Sequence, residues 1–279
     1  MKLQLPNKRQ LDLHRPKVMG ILNITPDSFS DGGKHLPLDA AIEQAAQMLA
    51  AGATMLDIGG ESTRPGAAEV SFEQELERVI PVISALRQRF DCVLSIDTSK
   101  AAVMSAAVQA GADMINDVRA LQLPDALATA AALQVPVCLM HMQGTPGTMQ
   151  LAPVYQDVVQ QVSQFLQRRA LDCQFAGIDK TQIIFDPGFG FGKTLQHNYQ
   201  LLAALPELMA LGHPLLVGMS RKSMIGQLLD LPVAERLTGS VAAAAIAAQL
   251  GAQIIRVHDV KETVQAVRIA TAVRYGVDE

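Results

Sequence analysis

The chain has 279 residues, of which 49% are hydrophobic and only 4% aromatic with no Trp, so its core must be aliphatic. Its formal net charge of −4 excludes a nucleic-acid-binding protein that relies on a concentrated basic face. We expect a cytoplasmic protein, because no segment has the roughly 20 apolar residues of a membrane span and the N-terminus lacks the apolar core of a signal peptide.

The three cysteines, Cys92, Cys138 and Cys173, are far apart and lie in apolar surroundings. This spacing indicates neither a disulfide framework nor a zinc site. We expect them to be small buried side chains in a protein of a reducing compartment.

Short apolar segments alternate along the chain with longer amphipathic ones. The predicted strands cover 18–23, 54–60, 92–97, 113–117, 135–140, 182–186, 214–218 and 253–257. The predicted helices cover 38–51, 72–89, 99–110, 123–133, 155–176, 197–211, 233–250 and 261–274. Continuously apolar strands are typical of a parallel sheet buried on both faces. Eight strand–helix units favour an α/β protein of the (β/α)8 TIM-barrel class, one domain over 1–279, with residues 1–15 as a short cap of the barrel floor.

A weak internal repeat supports this prediction. Three predicted helices end in Gly-Ala just before a strand, at Gly52, Gly111 and Gly251. Glycine is the residue that a left-handed helix C-cap favours. Five residues after each glycine stands a polar residue, namely Asp57, Asn116 or Arg256. Polar groups therefore recur at the same depth of successive strands, near the strand ends where barrels of this class place their active sites.

The first two strands are followed by polar segments. Residues 23–33 are longer than a tight connection needs, which indicates a mobile loop that covers the substrate. Asn23 at its start offers a neutral oxygen of the kind that Mg²⁺ accepts when phosphates supply its other ligands. Arg64 lies among glycines and a proline, so it is either presented to a carboxylate or phosphate or is a solvated surface arginine.

The third, fourth and fifth strands also end in polar residues. Asp97 ends the third, and because Ser99 is better placed to cap the following helix, Asp97 is a catalytic or cation-binding candidate. Asn116 ends the fourth strand. His141 follows the fifth, where a single histidine is more often structural than catalytic.

The sixth strand is followed by Asp186-Pro-Gly-Phe-Gly-Phe-Gly-Lys-Thr. The ending resembles a phosphate-binding P-loop, but that motif needs glycine where Pro187 stands. We favour a glycine loop that brings backbone and Phe191 to a flat ligand. The Asp186 carboxylate below could accept two parallel hydrogen bonds from an amino-pyrimidine edge.

The last two strand ends are basic. Lys222 and Ser223 enter a short helix, whose N-terminal N–H groups favour an anion. Arg256 and His258 lie two residues apart, so on a strand both point to one side and can bind one anion. Together with Arg64, these residues predict a positively charged rim in an acidic protein.

These segments resemble, in order and from about residue 20 to 258, the dihydropteroate synthase family of pterin-binding enzymes, of the bacterial stand-alone type. The motifs that carry the resemblance are NITPDSFSDGG, GGESTRPGA, SIDTSK, IND, MHMQGTP, DPGFGFGKT, GMSRKS and RVHD. The resemblance implies a TIM-barrel transferase of folate biosynthesis that is inhibited by sulfonamides, uses Mg²⁺ and forms a homodimer. Its reaction joins 4-aminobenzoate to 6-hydroxymethyl-7,8-dihydropterin pyrophosphate and releases pyrophosphate and 7,8-dihydropteroate.

The resemblance also implies roles for individual residues. Pterin-binding positions are matched by Asp97, Asn116, Asp186 and Lys222, and the pocket lining by Met140, Phe191 and Gly218. The Mg²⁺ position is matched by Asn23, the pyrophosphate-binding pair by Arg256 and His258, and a further substrate-binding position by Val257. The aminobenzoate region is matched by Thr63, Arg64, Pro65 and Ser223, with Phe29 from the first loop. The implied catalytic set is Asn23, Asp97, Lys222 and Arg256.

The predicted site contains neither a nucleophile nor a strong base. Pyrophosphate neutralised by Mg²⁺ and Arg256 is a good leaving group, so we expect a dissociative displacement in which Asp97 stabilises the cation at the pterin methylene. The alternative is a pterin-dependent methyltransferase domain, which needs a corrinoid partner and no pyrophosphate site. A P-loop NTPase is disfavoured by Pro187, and a non-catalytic pterin carrier would not need the long first loop.

Overall fold

A ring of parallel strands surrounded by helices forms the body of the protein. The computed structural model describes residues 1–25, 36–62, 69–144 and 153–277. Its strands are β1 (Lys2–Gln4), β2 (Gln10–Asp12), β3 (Lys17–Asn23), β4 (Met55–Gly59), β5 (Val93–Asp97), β6 (Met114–Asp117), β7 (Val137–Met140), β8 (Ile183–Asp186), β9 (Leu216–Val217) and β10 (Ile254–Val257). Its helices are α1 (Leu36–Ala50), α2 (Phe72–Arg89), α3 (Ala101–Ala110), α4 (Ala126–Leu133), α5 (Val158–Phe175), α6 (Leu195–Ala203), α7 (Leu205–Met209), α8 (Ser223–Leu229), α9 (Leu237–Leu250) and α10 (Val260–Tyr275).

Strands β3 to β10 pair in the order β8-β7-β6-β5-β4-β3-β10-β9. Every pair is parallel, and a further parallel bridge between Phe185 and Leu215 joins the two ends of the row. The sheet is therefore closed, and the predicted (β/α)8 TIM barrel is confirmed. The eight predicted strands coincide with β3 to β10 to within a few residues.

The predicted helices match to within about three residues at each end, except for two. The helix expected over 197–211 is divided into α6 and α7 around Ala204, because Pro206 in the first turn of α7 has no N–H group to continue the α6 ladder. The helix expected over 233–250 begins only at Leu237, after a short 3₁₀ turn at Val233–Glu235.

Alternate residues of each strand point into the barrel, and the lowest inward layer is entirely apolar. Its members are Met19, Met55, Val93, Met114, Cys138, Ile184, Leu216 and Ile254. Four leucines of the N-terminal segment pack against this layer: Leu3, Leu5, Leu11 and Leu13. Strands β1 and β2 pair antiparallel to form this hairpin. The hairpin covers the N-terminal end of the barrel, which leaves the opposite end, where the strands terminate, as the place for a site.

The Gly-Ala repeat takes the predicted form. Gly52, Gly111 and Gly251 have φ values of 103°, 115° and 108°, the left-handed conformation that terminates a helix. Each glycine thus sets the start of the strand that follows. The polar residue five positions later enters the second inward layer, directly above the apolar one.

Two further findings bear on the sequence predictions. The cysteines Cys92, Cys138 and Cys173 are buried and free, as expected. Among the described helices, none is both long and apolar enough to cross a lipid bilayer.

Candidate active site

The second inward layer holds a hydrogen-bonded cluster of polar side chains from three strands. Asp57 Oδ2 accepts hydrogen bonds from Arg256 Nε at 2.5 Å and from Asn116 Nδ2 at 3.0 Å. Asp57 is completely buried, and its Oδ1 has no hydrogen-bond partner among the described residues. The three polar residues of the sequence repeat therefore meet in one cluster inside the barrel.

A second carboxylate, Asp97 at the end of β5, shares the same guanidinium. Arg256 Nη2 donates to Asp97 Oδ2 at 2.7 Å. Burial raises the pKa of Asp97 to about 7; Arg256 opposes this shift, and the nearby carboxylates of Asp57, Asp117 and Glu75 add to it. For Arg256, burial disfavours the charge, but Asp57 and Asp97 outweigh it and raise the pKa. Asp97 is thus a carboxylate whose charge is only partly compensated.

Opposite this cluster, Asp186 at the end of β8 pairs electrostatically with Lys222. Burial raises the pKa of Asp186 while Lys222 lowers it, and Asp186 Oδ1 accepts the Gly188 N–H at 2.7 Å. Burial lowers the pKa of Lys222 to about 8, with Asp186 opposing the shift. The Lys222 ammonium donates to the Phe189 carbonyl at 2.6 Å and lies 4.6 Å from the centre of the Phe191 ring. A buried carboxylate and a buried ammonium thus lie close enough to shift each other's pKa.

The glycine loop after β8 lies directly against the end of β7. Gly188, Gly190 and Gly192 have φ values of 70°, 79° and 62°, which other residues rarely adopt. A Cβ on Gly188 would lie 1.9 Å from the His141 carbonyl oxygen, and one on Gly192 would lie 2.4 Å from that of Gln143. The glycines are therefore needed first for contact with the neighbouring backbone. The loop turns Phe191 inward, where it packs with Met140 and Val118 in a small apolar cluster.

Asn23 at the end of β3 lies close to Asp97. An ideal Cβ on Gly59 would be 3.7 Å from Asn23 Oδ1 and 3.8 Å from Asp97 Oδ2, so Gly59 leaves space between the two oxygens. Within the described ranges, no group of three or more His, Cys, Asp or Glu side chains could hold a metal ion. An amide oxygen beside an open position suits an ion that takes most of its ligands from phosphate and water.

Arg256 and His258, two residues apart at the end of β10, make different contacts. The Arg256 side chain turns to the carboxylates of Asp57 and Asp97, whereas His258 Nδ1 lies 3.1 Å from Ser220 Oγ. An arginine has five N–H donors, so after these two hydrogen bonds Arg256 still has N–H groups that can bind a ligand. A Cβ on Gly218, which follows β9, would lie 3.8 Å from Arg256 Cβ, so the absence of a side chain at Gly218 leaves room beside Arg256.

The Val257 side chain packs in the core between sheet and helices, because neighbouring residues of a strand face opposite sides, so the predicted substrate contact of Val257 would be made by its backbone. The expectation about the cap of α3 is wrong. Ser99 does not cap α3: its hydroxyl donates to Asp117, while Lys100 occupies the N-cap position without a side-chain cap.

The aminobenzoate region is only partly described. Thr63, Arg64, Pro65 and Phe29 lie outside the described residues, and Ser223 is the exposed first residue of α8. Next to the segment 63–68, Lys100 Nζ lies 2.7 Å from both Glu61 Oε2 and the buried Glu75 Oε2. Glu61 Oε1 in turn accepts the Val70 N–H at 3.0 Å, so one carboxylate links the residues on either side of that segment.

Sequence reasoning missed three polar residues around the site. The sequence marks Asp57 only as a member of a repeat, and its contact with Arg256 depends on closure of the barrel. Lys100 stands in the SIDTSK motif without a predicted role. Lys193 stands in a segment that differs from a P-loop, yet it is buried and its ammonium contacts His141 and the glycine loop. The signal that could have found Lys193 is the combination of a lysine with three alternating glycines, which forces a charged group close to the backbone.

Comparison with known proteins agrees with this geometry. The family model described as "pterin binding enzyme" matches residues 19–258. Dihydropteroate synthase of Haemophilus influenzae is 58% identical over 269 residues, 96% of this chain and 98% of the relative. The crystal structure of the Yersinia pestis dihydropteroate synthase with a sulfonamide drug has a TM-score of 0.94 and 61% identity, covering 98% of this chain and 99% of that one. The Xanthomonas albilineans dihydropteroate synthase with 4-aminobenzoic acid has a TM-score of 0.92 and 52% identity, covering 98% of each chain.

Proposed function

The chain belongs to the pterin binding enzyme family, and we propose that it performs the dihydropteroate synthase reaction by a dissociative displacement in the barrel mouth. In this reaction 4-aminobenzoate replaces the pyrophosphate of 6-hydroxymethyl-7,8-dihydropterin pyrophosphate, which yields 7,8-dihydropteroate. The enzyme is a transferase of folate biosynthesis, and no chemistry is required of a protein nucleophile.

One observation carries the proposal. Asp97, Asn116 and Asp186 lie at neighbouring depths of one buried interior, above an apolar floor and beside Phe191 and Met140. A pterin is flat and rich in N–H groups, so carboxylate and amide oxygens can accept hydrogen bonds from its edge while apolar side chains cover its faces. We assign the edge with the 2-amino group to Asp186, whose two oxygens can accept parallel hydrogen bonds.

The leaving group would lie nearer the rim. We assign its phosphates to the N–H groups of Arg256 that Asp57 and Asp97 do not use and to His258, whereas Lys222, beside Asp186 and Phe191, is assigned to the pterin. Mg²⁺ would be held by Asn23 Oδ1 together with phosphate oxygens and water, and when bound it would supply positive charge that makes pyrophosphate a better leaving group.

The bond from the pterin methylene to the pyrophosphate oxygen breaks first, and the oxygen keeps the electron pair. The methylene is then cationic, its charge shared with the electron-rich dihydropterin ring. Asp97 would stabilise this charge, because Arg256 is divided between two carboxylates and compensates Asp97 only in part. The aniline nitrogen of 4-aminobenzoate attacks the methylene and afterwards loses a proton to solvent.

The second substrate would bind further out. We assign its carboxylate and ring to Thr63, Arg64 and Ser223, on the strength of the sequence motifs in which they occur. A separate outer position fits the chemistry, because the aniline must approach after the pterin substrate has already filled the deep part of the barrel.

We also propose a homodimer in the cytoplasm. The adjacent helices α9 and α10 expose apolar side chains, with Ile246 50%, Ile269 69% and Val273 72% exposed. Apolar surface of this kind is stabilised by burial against a second copy. The cytoplasmic location is supported by the free, buried cysteines, which are typical of a reducing compartment.

The test is an assay of pyrophosphate release with purified protein, the pterin pyrophosphate and Mg²⁺. We expect release only when 4-aminobenzoate is added, together with formation of 7,8-dihydropteroate, and we expect a sulfonamide to compete with 4-aminobenzoate. Pyrophosphate release at the same rate with and without 4-aminobenzoate would contradict the proposal. Methyl transfer to a corrinoid would favour the alternative, a pterin-dependent methyltransferase domain.

A further inference from the structure

Lys193 has no role in the mechanism above, although it is one of the most buried charged residues described, with 4% of its surface exposed. Its ammonium lies 2.9 Å from the Gly188 carbonyl oxygen and 3.0 Å from that of Phe191. It also lies 3.0 Å from His141 Nδ1 and 3.3 Å from the His141 carbonyl oxygen. One side chain thus bridges both ends of the glycine loop and the end of β7.

The ionisation of the two side chains suits this arrangement. Burial and, after it, the charge of Lys193 together lower the pKa of His141 to about 2, so the imidazole is neutral and its Nδ1 accepts from Lys193. Burial also lowers the pKa of Lys193, whereas Asp186 raises it. A buried amine is stable only when its N–H groups make hydrogen bonds. The N–H groups of Lys193 donate to backbone carbonyls and to the His141 imidazole.

The loop bound by Lys193 is also the support of Lys222. The carbonyl of Phe189 accepts from the Lys222 ammonium at 2.6 Å, and the Phe191 ring lies 4.6 Å from the same ammonium. Phe189 and Phe191 both lie between Gly188 and Lys193 in the sequence. Any shift of the loop away from His141 would therefore displace both groups that fix Lys222, and one of these, the Phe191 ring, is also the ring assigned to cover the pterin.

We propose that Lys193 is a positioning residue for the pterin substrate: by binding Gly188, Phe191 and His141 together, it fixes the loop that places Phe191 and Lys222. This inference rests on the proposed function, because it names the substrate whose binding should depend on Lys193. Lys193 itself lies behind the loop and does not contact the reacting atoms.

The first experiment compares Lys193→Met with the wild type and with Leu86→Ala as a matched control. Met keeps the length of the side chain but offers no donor. Leu86 is completely buried in α2, on the outer side of the barrel, so its truncation lowers stability without touching the site. For each protein we would measure Tm, the Kd of the pterin pyrophosphate by calorimetry, and KM for both substrates.

We expect Lys193→Met to raise the Kd and KM of the pterin substrate at least tenfold, and to change KM for 4-aminobenzoate less than threefold. Leu86→Ala should lower Tm but leave both KM values within twofold of wild type. A folded Lys193→Met protein with wild-type pterin affinity would overturn the proposal, as would an equal loss for both substrates. If the wild type itself bound no pterin, the proposed function would fail instead.

A measurement on the unmodified protein covers the case in which Lys193→Met does not fold. Gly188, Gly190 and Phe191 donate their N–H groups to Asp186, Asn198 and Gly188 respectively. If Lys193 holds the loop before substrate arrives, hydrogen exchange of these amides in the free wild type should be at least a hundredfold slower than in an unstructured peptide. Exchange at the unstructured rate would overturn the proposal.

Discussion

Arg256 Nε lies 2.5 Å from Asp57 Oδ2, so a side chain that the sequence assigns to pyrophosphate is held from below by a completely buried carboxylate. The same oxygen holds the Asn116 amide at 3.0 Å. Asp57 therefore orients one residue of the rim and one of the deep pocket. A change at Asp57 should affect both, although Asp57 has no assigned contact with either substrate.

We expect Asp57→Asn to lower kcat/KM by about tenfold to a hundredfold, because weakening a charged hydrogen bond costs about 1.5–3 kcal/mol. Asn keeps the shape and one acceptor but removes the charge that opposes Arg256. Steady-state kinetics at saturating Mg²⁺ would measure the loss. Ser95→Ala is the control: Ser95 pairs with Asp57 in the β4–β5 register, and its hydroxyl has no hydrogen-bond partner in the described part of the chain. A loss of equal size in both variants would contradict this role.

The sequence predicts the depth of this cluster but not its contacts. The Gly-Ala repeat places Asp57, Asn116 and Arg256 at one level of successive strands, and the structure confirms that level. The pairing of Arg256 with Asp57 joins residues 199 positions apart, and it exists only because β10 lies beside β3 once the barrel closes. A pattern read along one strand cannot reveal which inward side chains meet across the interior.

The glycine loop shows a second limit. Its three glycines and Phe191 are evident in the sequence, and a ligand contact is the natural interpretation. The structure shows that two of the glycines are required by the backbone of His141 and Gln143. Close packing between two loops depends on the distance between β7 and β8, which no local pattern encodes.

Asp97 is the residue on which the dissociative mechanism depends. Asp97→Asn retains an acceptor but removes the negative charge that, in the proposed mechanism, stabilises the cationic methylene. We therefore expect kcat to fall by about 10²- to 10³-fold, as for loss of a group that stabilises transition-state charge. Pterin binding, measured by calorimetry, should weaken much less. Normal turnover combined with weaker pterin binding would show that Asp97 only binds the ring.

Lys222 gives a pH dependence of defined sign. Burial lowers the pKa of Lys222 to about 8. As an ammonium, Lys222 donates to the Phe189 carbonyl and, in the proposed function, binds the pterin substrate. As pH rises through about 8 the charge is lost, so kcat/KM for the pterin substrate should decrease on the alkaline side. In Lys222→Arg the guanidinium stays charged, so activity should be lower overall but the alkaline decrease should disappear below pH 10. An unchanged alkaline limb in that variant would assign the titration to another group.

Asn23 should determine the requirement for Mg²⁺. Asn23→Ala removes the amide oxygen beside Gly59, and we expect the half-saturating Mg²⁺ concentration to rise about tenfold, with kcat largely recovered at high Mg²⁺. Titration of activity with Mg²⁺ at fixed substrate would measure this. Asn23→Asp supplies a charged oxygen and should keep the half-saturating Mg²⁺ concentration low. A loss of activity in Asn23→Ala that added Mg²⁺ does not relieve would instead indicate a direct contact between Asn23 and the substrate.

The exposed apolar surface of α10 should hold two copies together. Ile269 and Val273 are one helical turn apart on this helix, 69% and 72% exposed, and a charge at both positions would be buried unpaired in any dimer formed there. We expect Ile269→Asp with Val273→Asp to convert the dimer into a folded monomer in analytical ultracentrifugation, with an unchanged circular dichroism spectrum. Phe175→Asp is the matched control, because Phe175 is 89% exposed at the end of α5. If the control dissociated the dimer and the α10 variant did not, the interface would lie on the α5 side of the barrel.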